Sequence, residues 1–188
     1  MRQTDSRTTM DTIAAKTLIA RYNQGERDFE NCNLEQADFF EAMLAQINLA
    51  QSCLNRAYLP YANLRQANLA ATQLEAAELS DAQLHQANFT NANLERASLL
   101  RADLSLADLS EAKLSGANLC GANLVNADLS NADLSNADLS RVNFRQANLK
   151  GANLSGANLT RSTDLDLTGA IVDAFTIYPD GHRQESEL

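Results

Sequence analysis

The sequence predicts a solenoid built from five-residue units, and three observations carry that prediction. A large apolar residue recurs at every fifth position from Phe29 to Leu159 without a break, 27 positions holding 23 Leu and four Phe. Two residues before each runs a second series of 27, of which 21 are Ala; Arg27, Cys32, Ile47, Ser52, Thr72 and Val142 are the exceptions. Between the two series lies a slot dominated by Asn and Asp, so the unit reads Ala–(Asn/Asp)–Leu–x–x, as in Ala127-Asp128-Leu129-Ser130-Asn131.

A period of five excludes the regular elements. Five residues turn an α-helix by about 500°, so an apolar stripe at that spacing would rotate by about 140° per step. A flat strand would place successive Leu residues on opposite faces. A coil with a corner every five residues satisfies the pattern. Each side then turns one Leu and one Ala inward and leaves three residues outward or at the corner. Each buried Leu contributes roughly 1.5–3 kcal/mol before chain entropy is subtracted.

Over about residues 27–162 the repeated Ala-Asn-Leu and Ala-Asp-Leu run resembles the pentapeptide-repeat family. The resemblance implies an all-β solenoid, a right-handed quadrilateral β-helix with four pentapeptides per coil. On that basis the array makes about seven coils and a rod roughly 32 Å long at a strand spacing of about 4.8 Å. The phrase Gly25-Glu26-Arg27-Asp28-Phe29 is similar to the opening of many cyanobacterial members.

A solenoid exposes unpaired backbone at both ends and must be capped. Residues 1–25 form the expected N-terminal segment, with an amphipathic helix over Asp11 to Gln24, Asp11 as its N-cap and Gly25 as its stop. Ala15, Leu18, Ile19 and Tyr22 share a face expected to cover the first coil near Phe29 and Phe39. Residues 26–162 form the coil. Residues 163–188 form a C-terminal cap and flexible tail. There the register breaks: Asp164 occupies the next centre, and the pattern resumes at Leu167 and Val172, three residues late. The run Phe175 to Gly181 reads as a short apolar flap and a turn.

Composition narrows the function classes. The net charge is −9, which disfavours direct binding to nucleic acid or anionic lipid, both of which need basic contacts. There is no apolar run long enough for a membrane span, and Met1 to Gln24 lacks the apolar core of a secretory signal, so a cytoplasmic protein is expected. Cys32, Cys53 and Cys120 lack paired spacing and are expected as free thiols. Neither histidine, His85 nor His182, has a nucleophile or ligand cluster at recognisable spacing. Asp103, Asp108, Asp128, Asp133 and Asp138 occupy the slot that Asn holds at Asn63, Asn68 and Asn88, so these carboxylates read as structural. No catalytic, cofactor-binding or metal-binding residue is expected, and no cofactor.

The expected function is therefore non-enzymatic: a stiff surface presented to an unidentified protein partner. The alternative, implied by the resemblance, is a DNA-mimic modulator of a type II topoisomerase such as gyrase, of the fluoroquinolone-resistance type. Duplex DNA carries about one charge per 1.7 Å. The coils carry 15 acidic against 10 basic residues, far less dense than duplex DNA unless one side concentrates the charge. With the four pentapeptides per coil that the resemblance implies, residues twenty apart stack in successive coils, which places Phe40, Tyr58, Pro60 and Tyr61 together on the outside of the first two coils, with Leu100 further along. These five form the candidate interaction surface, because exposed apolar clusters mark interaction sites. Three occupants are open at this point: the cap helix, a second copy in a homodimer, or a foreign protein.

Overall fold

The computed structural model describes residues 10–183. One repeat shows how the sequence builds the coil. Leu94 and Ala92 point inward and are fully buried. The Leu94 N–H donates to the Lys113 carbonyl in the next coil at 2.7 Å, and the Lys113 N–H donates back to the Ala92 carbonyl at 2.9 Å. Asn93, between them, accepts the Glu95 N–H on its Oδ1 at 3.1 Å. The chain then turns. The Ala97 N–H donates to the Leu94 carbonyl at 3.0 Å, and Arg96 at the corner has φ of 57°. A positive φ at the third residue is the mark of a type II turn.

This unit repeats along the array. Every corner from Asn31 to Arg161 has positive φ, 23 of them at residues other than glycine. Parallel bridges join each slot to the one twenty residues on, as in Asn63 to Gln83 and Gln83 to Asp103. Twenty residues per coil is four pentapeptides, so the rod has four sides, here called first to fourth from Phe29, Leu34, Phe39 and Leu44. Every inward Leu or Phe from Phe29 to Leu159 is at most 3 % exposed. The Asn/Asp slot has a local task throughout. Its side-chain oxygen accepts the N–H two residues on, as at Asp108 to Ser110 (2.9 Å) and Asn123 to Val125 (3.3 Å). It also links coils, as where the Asn123 Nδ2 donates to Asp103 at 3.0 Å. Such turn-forming bonds are why Asn and Asp exchange there.

The N-terminal end departs from the expectation. The helix α1 is Ala15–Asn23, with Ala14 at the N-cap making no side-chain capping bond. Asp11 is not the cap: Asp11–Thr12 form a short strand, β1, in parallel register with β2, Cys32–Asn33. The unpaired ladder of the first coil draws this segment into extended pairing before the helix can begin. The helix face is as expected. Leu18 is fully buried, Ala15, Ile19 and Tyr22 pack against the core, and the Tyr22 hydroxyl donates to the Ala45 carbonyl at 2.8 Å. The Arg21 guanidinium lies 5.1 Å over the Phe29 ring, and Gly25 follows with φ of 101°.

At the C-terminal end the twenty-residue register holds through Asn143 to Thr163, then shortens to eighteen at Asn153 to Ile171 and nineteen at Asn158 to Ile177. Leu167 and Val172 are half-buried against the last coil, while Ile171 and Phe175 are exposed. Thr176 takes an inward slot, its hydroxyl donating to the Leu154 carbonyl at 3.0 Å. A tight turn follows, in which the Tyr178 N–H donates to the His182 carbonyl and Ile177 pairs antiparallel with Arg183. Arg183, expected as the first residue of the flexible tail, is thus paired; the rest of that tail, 184–188, lies outside the described residues, as does the start of the chain at 1–9.

Candidate functional site: the third side of the rod

The third side brings together three of the five expected surface residues. Phe40 stacks on Tyr58 with ring centroids 6.0 Å apart and planes at 15°, and Tyr61 meets the same Phe40 edge-on at 6.0 Å and 87°. The sources differ in each case. Phe40 follows the buried Phe39, Tyr58 occupies the Asn/Asp slot of the next coil, and Tyr61 stands at that coil's corner with φ of 59°. All three remain about half exposed, at 47 %, 46 % and 51 %. The cap helix therefore does not cover them.

One expectation needs correction. Pro60 is buried, not displayed, although Tyr58 and Tyr61 on either side of it in the chain are exposed. Leu100, expected further along this side, lies two coils on and is half-buried. Sequence reasoning missed Met43, 66 % exposed in an Asn/Asp slot of the fourth side, and Leu106, 47 % exposed at a corner. Both break the polar pattern of their slots, so the signal was present. Ile171 and Phe175 were missed because they lie beyond the regular array.

Carboxylates frame the cluster. Asp38 and Glu78 flank Tyr58 in the ladder, and Glu41 and Asp81 occupy the corners one coil either side of Tyr61. Asp38 accepts the Phe40 N–H at 3.0 Å. Asp81 receives two hydrogen bonds from Arg101 at 2.8 and 2.6 Å, and these hold its carboxyl below the usual carboxylate range. No lysine or arginine occurs among residues 38–41, 58–61 or 78–81.

Charge elsewhere is scattered. The first side carries the largest net negative charge: Asp28 and Glu30 at one end, Asp108, Glu111 and Asp128 beyond its middle, and Lys150 at the other end. Its central coils present Asn48, Ala50, Asn68, Ala70, Asn88 and Thr90, which are uncharged. The fourth side has Asp103 against Arg65 and Arg145.

Sites of other kinds are sparse. Among the described residues no cluster of three His, Cys, Asp or Glu could hold a metal ion, and no helix is long and apolar enough to cross a membrane. His85 has its Nδ1 2.8 Å from the Ser105 hydroxyl, a surface link between coils. All three cysteines are free, with Cys32 buried. An open cleft of about 360 Å³ lies where the cap meets the first coil, lined by Asp11, Arg21, Asp28 and Cys32 among others. Its Arg21 is committed to Glu26, and burial pushes the Cys32 thiol up, away from the reactive thiolate.

Comparison with known proteins agrees with this geometry. No curated protein sequence matches the chain significantly. Among solved structures, a trypsin-treated form of QnrB1, a plasmid-mediated fluoroquinolone resistance protein, superimposes with a TM-score of 0.63 at 22 % identity, covering 79 % of this chain and 78 % of that one. HetL, a pentapeptide repeat protein involved in heterocyst differentiation regulation in the cyanobacterium Nostoc sp. strain PCC 7120, is 26 % identical over 92 % of this chain and 100 % of its own, with a TM-score of 0.41. Rfr23, from the cyanobacterium Cyanothece 51142, is 26 % identical over 87 % and 99 %, with a TM-score of 0.35. The fold shared with QnrB1 is the right-handed quadrilateral β-helix. A family model for pentapeptide repeats matches in eight copies, through segments 26–56, 52–91, 77–116, 87–124, 102–141 and 127–171, and the chain belongs to the pentapeptide-repeat family.

Proposed function

We propose that this protein is a non-catalytic binding module whose third side docks another protein surface. The carrying observation is the exposed, mutually packed trio Phe40, Tyr58 and Tyr61 on a rod whose other outward slots are mostly Asn, Asp, Ser, Gln, Glu and Arg. Half-exposed aromatic groups recover apolar burial when covered, and tyrosine is enriched at interface cores. The rigid ladder beneath holds the rings in place, so little side-chain entropy is lost on docking. The DNA-mimic reading gains no support from the charge layout, because the most acidic side is neutral across its central coils.

The test is the double variant Phe40→Ser with Tyr61→Ser. Both positions are outward, so thermal unfolding should stay close to that of the parent. Association, whether with itself or with a captured protein, should be lost. A variant that keeps its fold and every association of the parent would overturn the reading.

A further inference from the structure

We infer that the occupant of the third side is a second copy of this chain, packed antiparallel about a twofold axis that passes near Leu100. This rests on the reading of the third side as a docking surface and identifies what docks there.

The argument starts from the corner column of that side. Its first three rungs carry Glu41, Tyr61 and Asp81, and the later rungs carry Arg101, Arg141 and Arg161, with Gly121 between. Acid and aromatic groups fill one half and guanidinium groups the other. The other corner columns show no such division. That of the fourth side, from Gln46 to Gln146, is uncharged, and that of the second side has only Arg56 and Arg96.

A twofold interface must be complementary to itself. Two rods can meet face to face about an axis parallel to their length, or about one across it. The parallel arrangement sets each rung against the same rung but exchanges the two edges of the side, so Glu41 would face the Asp38 edge of its copy and Asp81 the Glu78 edge, at like charge. The crossed axis reverses the rung order and keeps the column facing its own copy. With the axis at the fourth of the seven rungs of the regular array, the first then meets the seventh and the second meets the sixth, and the added strand at Ile177 lies beyond the overlap. Glu41 comes opposite Arg161 of the second copy, and Tyr61 opposite Arg141 of the second copy. An arginine over a tyrosine ring is a favourable cation–π pair.

The central rung meets itself. It presents Leu100, half-buried and apolar, beside the Ser98 slot. Arg101 also lies near the axis, but its charge is balanced within its own chain by Asp81, at 2.8 and 2.6 Å. The arrangement thus uses both ends of the side and its middle. A foreign partner would need to be cationic at one end and anionic at the other over the whole length of the rod, a pattern this chain already carries.

The contact is modest. Seven rungs at about 4.8 Å, across a side some 15–20 Å wide, bury on the order of 1,000 Å² in total. Interfaces of that size are weak, so the dimer is expected to dissociate in the micromolar range.

The experiment is sedimentation velocity of the full chain from about 1 to 200 µM, a span that brackets micromolar dissociation constants. A concentration-dependent monomer–dimer equilibrium is expected. Glu41→Arg and Arg161→Glu should each weaken it about tenfold, and the double charge swap should restore it. In a Cys53→Ser, Cys120→Ser background, Leu100→Cys should give a disulfide-linked dimer on mild oxidation, while Asn123→Cys on the fourth side should not. A monomer at the highest concentration overturns the inference. So does a dimer indifferent to both charge reversals, or one that Leu100→Cys fails to cross-link. If the chain is a monomer and Phe40→Ser with Tyr61→Ser still abolishes binding of another protein, the second copy is wrong and the docking side stands. If neither self-association nor binding responds to that double variant, both fail.

Discussion

The two halves of the rod share one backbone and differ at their corners. From Gly116 to Arg161, seven of ten corners are Gly or Asn. From Asn31 to Glu111, only Asn31 and Asn91 of seventeen are. Yet φ at these corners is about the same, 53° to 61° at the non-glycine residues of both halves. Left-handed backbone costs an ordinary L-residue roughly 1 kcal/mol, and Gly or Asn much less. The second half therefore meets the turn requirement locally. The first half adopts the same turns with Gln, Arg, Glu, Tyr and Leu because ladder bonds on both sides leave the chain no alternative. In exchange it displays long side chains at its corners, and Tyr61, Arg101 and Leu106 are among them. Surface chemistry is richest where local backbone preference is least satisfied.

Changes in the core should not distinguish the halves. Leu94→Asp and Leu129→Asp each bury an unpaired carboxylate. Both are expected to lose more than about 4 kcal/mol, enough to unfold a protein of ordinary stability, and so to aggregate on purification. If circular dichroism shows one folded and the other not, the halves differ in more than their corners.

Corners should distinguish them in opposite directions. Gly151→Ala forces a side chain to φ of 75° and presses its Cβ on Asn131. The expected cost is about 1–2 kcal/mol in urea unfolding. Ala71→Gly, at a corner with φ of 54° in the first half, should stabilise by about 0.5–1 kcal/mol, against the usual direction for glycine. A destabilised Ala71→Gly would break the comparison, since it would mean the first-half corners are not strained.

The inward Ala series offers a finer contrast. Ser52 bridges the first two coils: its hydroxyl donates to the Phe29 carbonyl at 3.1 Å and accepts the Cys32 N–H at 3.0 Å. The Ser162 hydroxyl is buried without a partner among the described residues. Ser52→Ala should cost about 1 kcal/mol, whereas Ser162→Ala should be neutral or slightly stabilising. Equal effects on chemical denaturation would contradict this.

Acid should also act beyond the second half, at the C-terminal cap. The Asp173 carboxylate accepts N–H groups of Gly156, Phe175 and Thr176, chiefly Gly156, and these hold its pKa below the ordinary 3.8. A depressed folded-state pKa means the contribution is complete above 3.8 and fades as pH falls through the lower folded value. Protection of the amides near Gly156 and Thr176, taken relative to the intrinsic exchange rate at each pH, should therefore fall below about pH 4. Asp173→Asn should flatten that dependence. The smallest effect belongs to Asn93→Asp, outward and half-buried, which should shift stability by less than about 0.5 kcal/mol.

The candidate side was legible in part. Stacking residues at the interval of twenty that the family resemblance implies placed Phe40, Tyr58 and Tyr61 together, because a strict period of five then turns sequence position into spatial position. It failed for Pro60, which has the same nominal slot as Phe40 but is short and ringed by neighbours. It failed also at the N-terminus, where apolar spacing correctly selected the buried face of the helix but not its first residue. Strand pairing of Asp11–Thr12 depends on an edge 21 residues further along the chain, at Cys32–Asn33.

The sequence by itself determined the five-residue unit, which residues point inward, and the polar slot that forms the turn, since these depend on contacts within one repeat. Only the tertiary structure decided how sides align from coil to coil: the register of twenty, its shortening after Thr163, and the facing of acidic against basic rungs along the third side. Those depend on hydrogen bonds between residues about twenty apart. Their register follows from the summed angle of four corners, which no single repeat encodes.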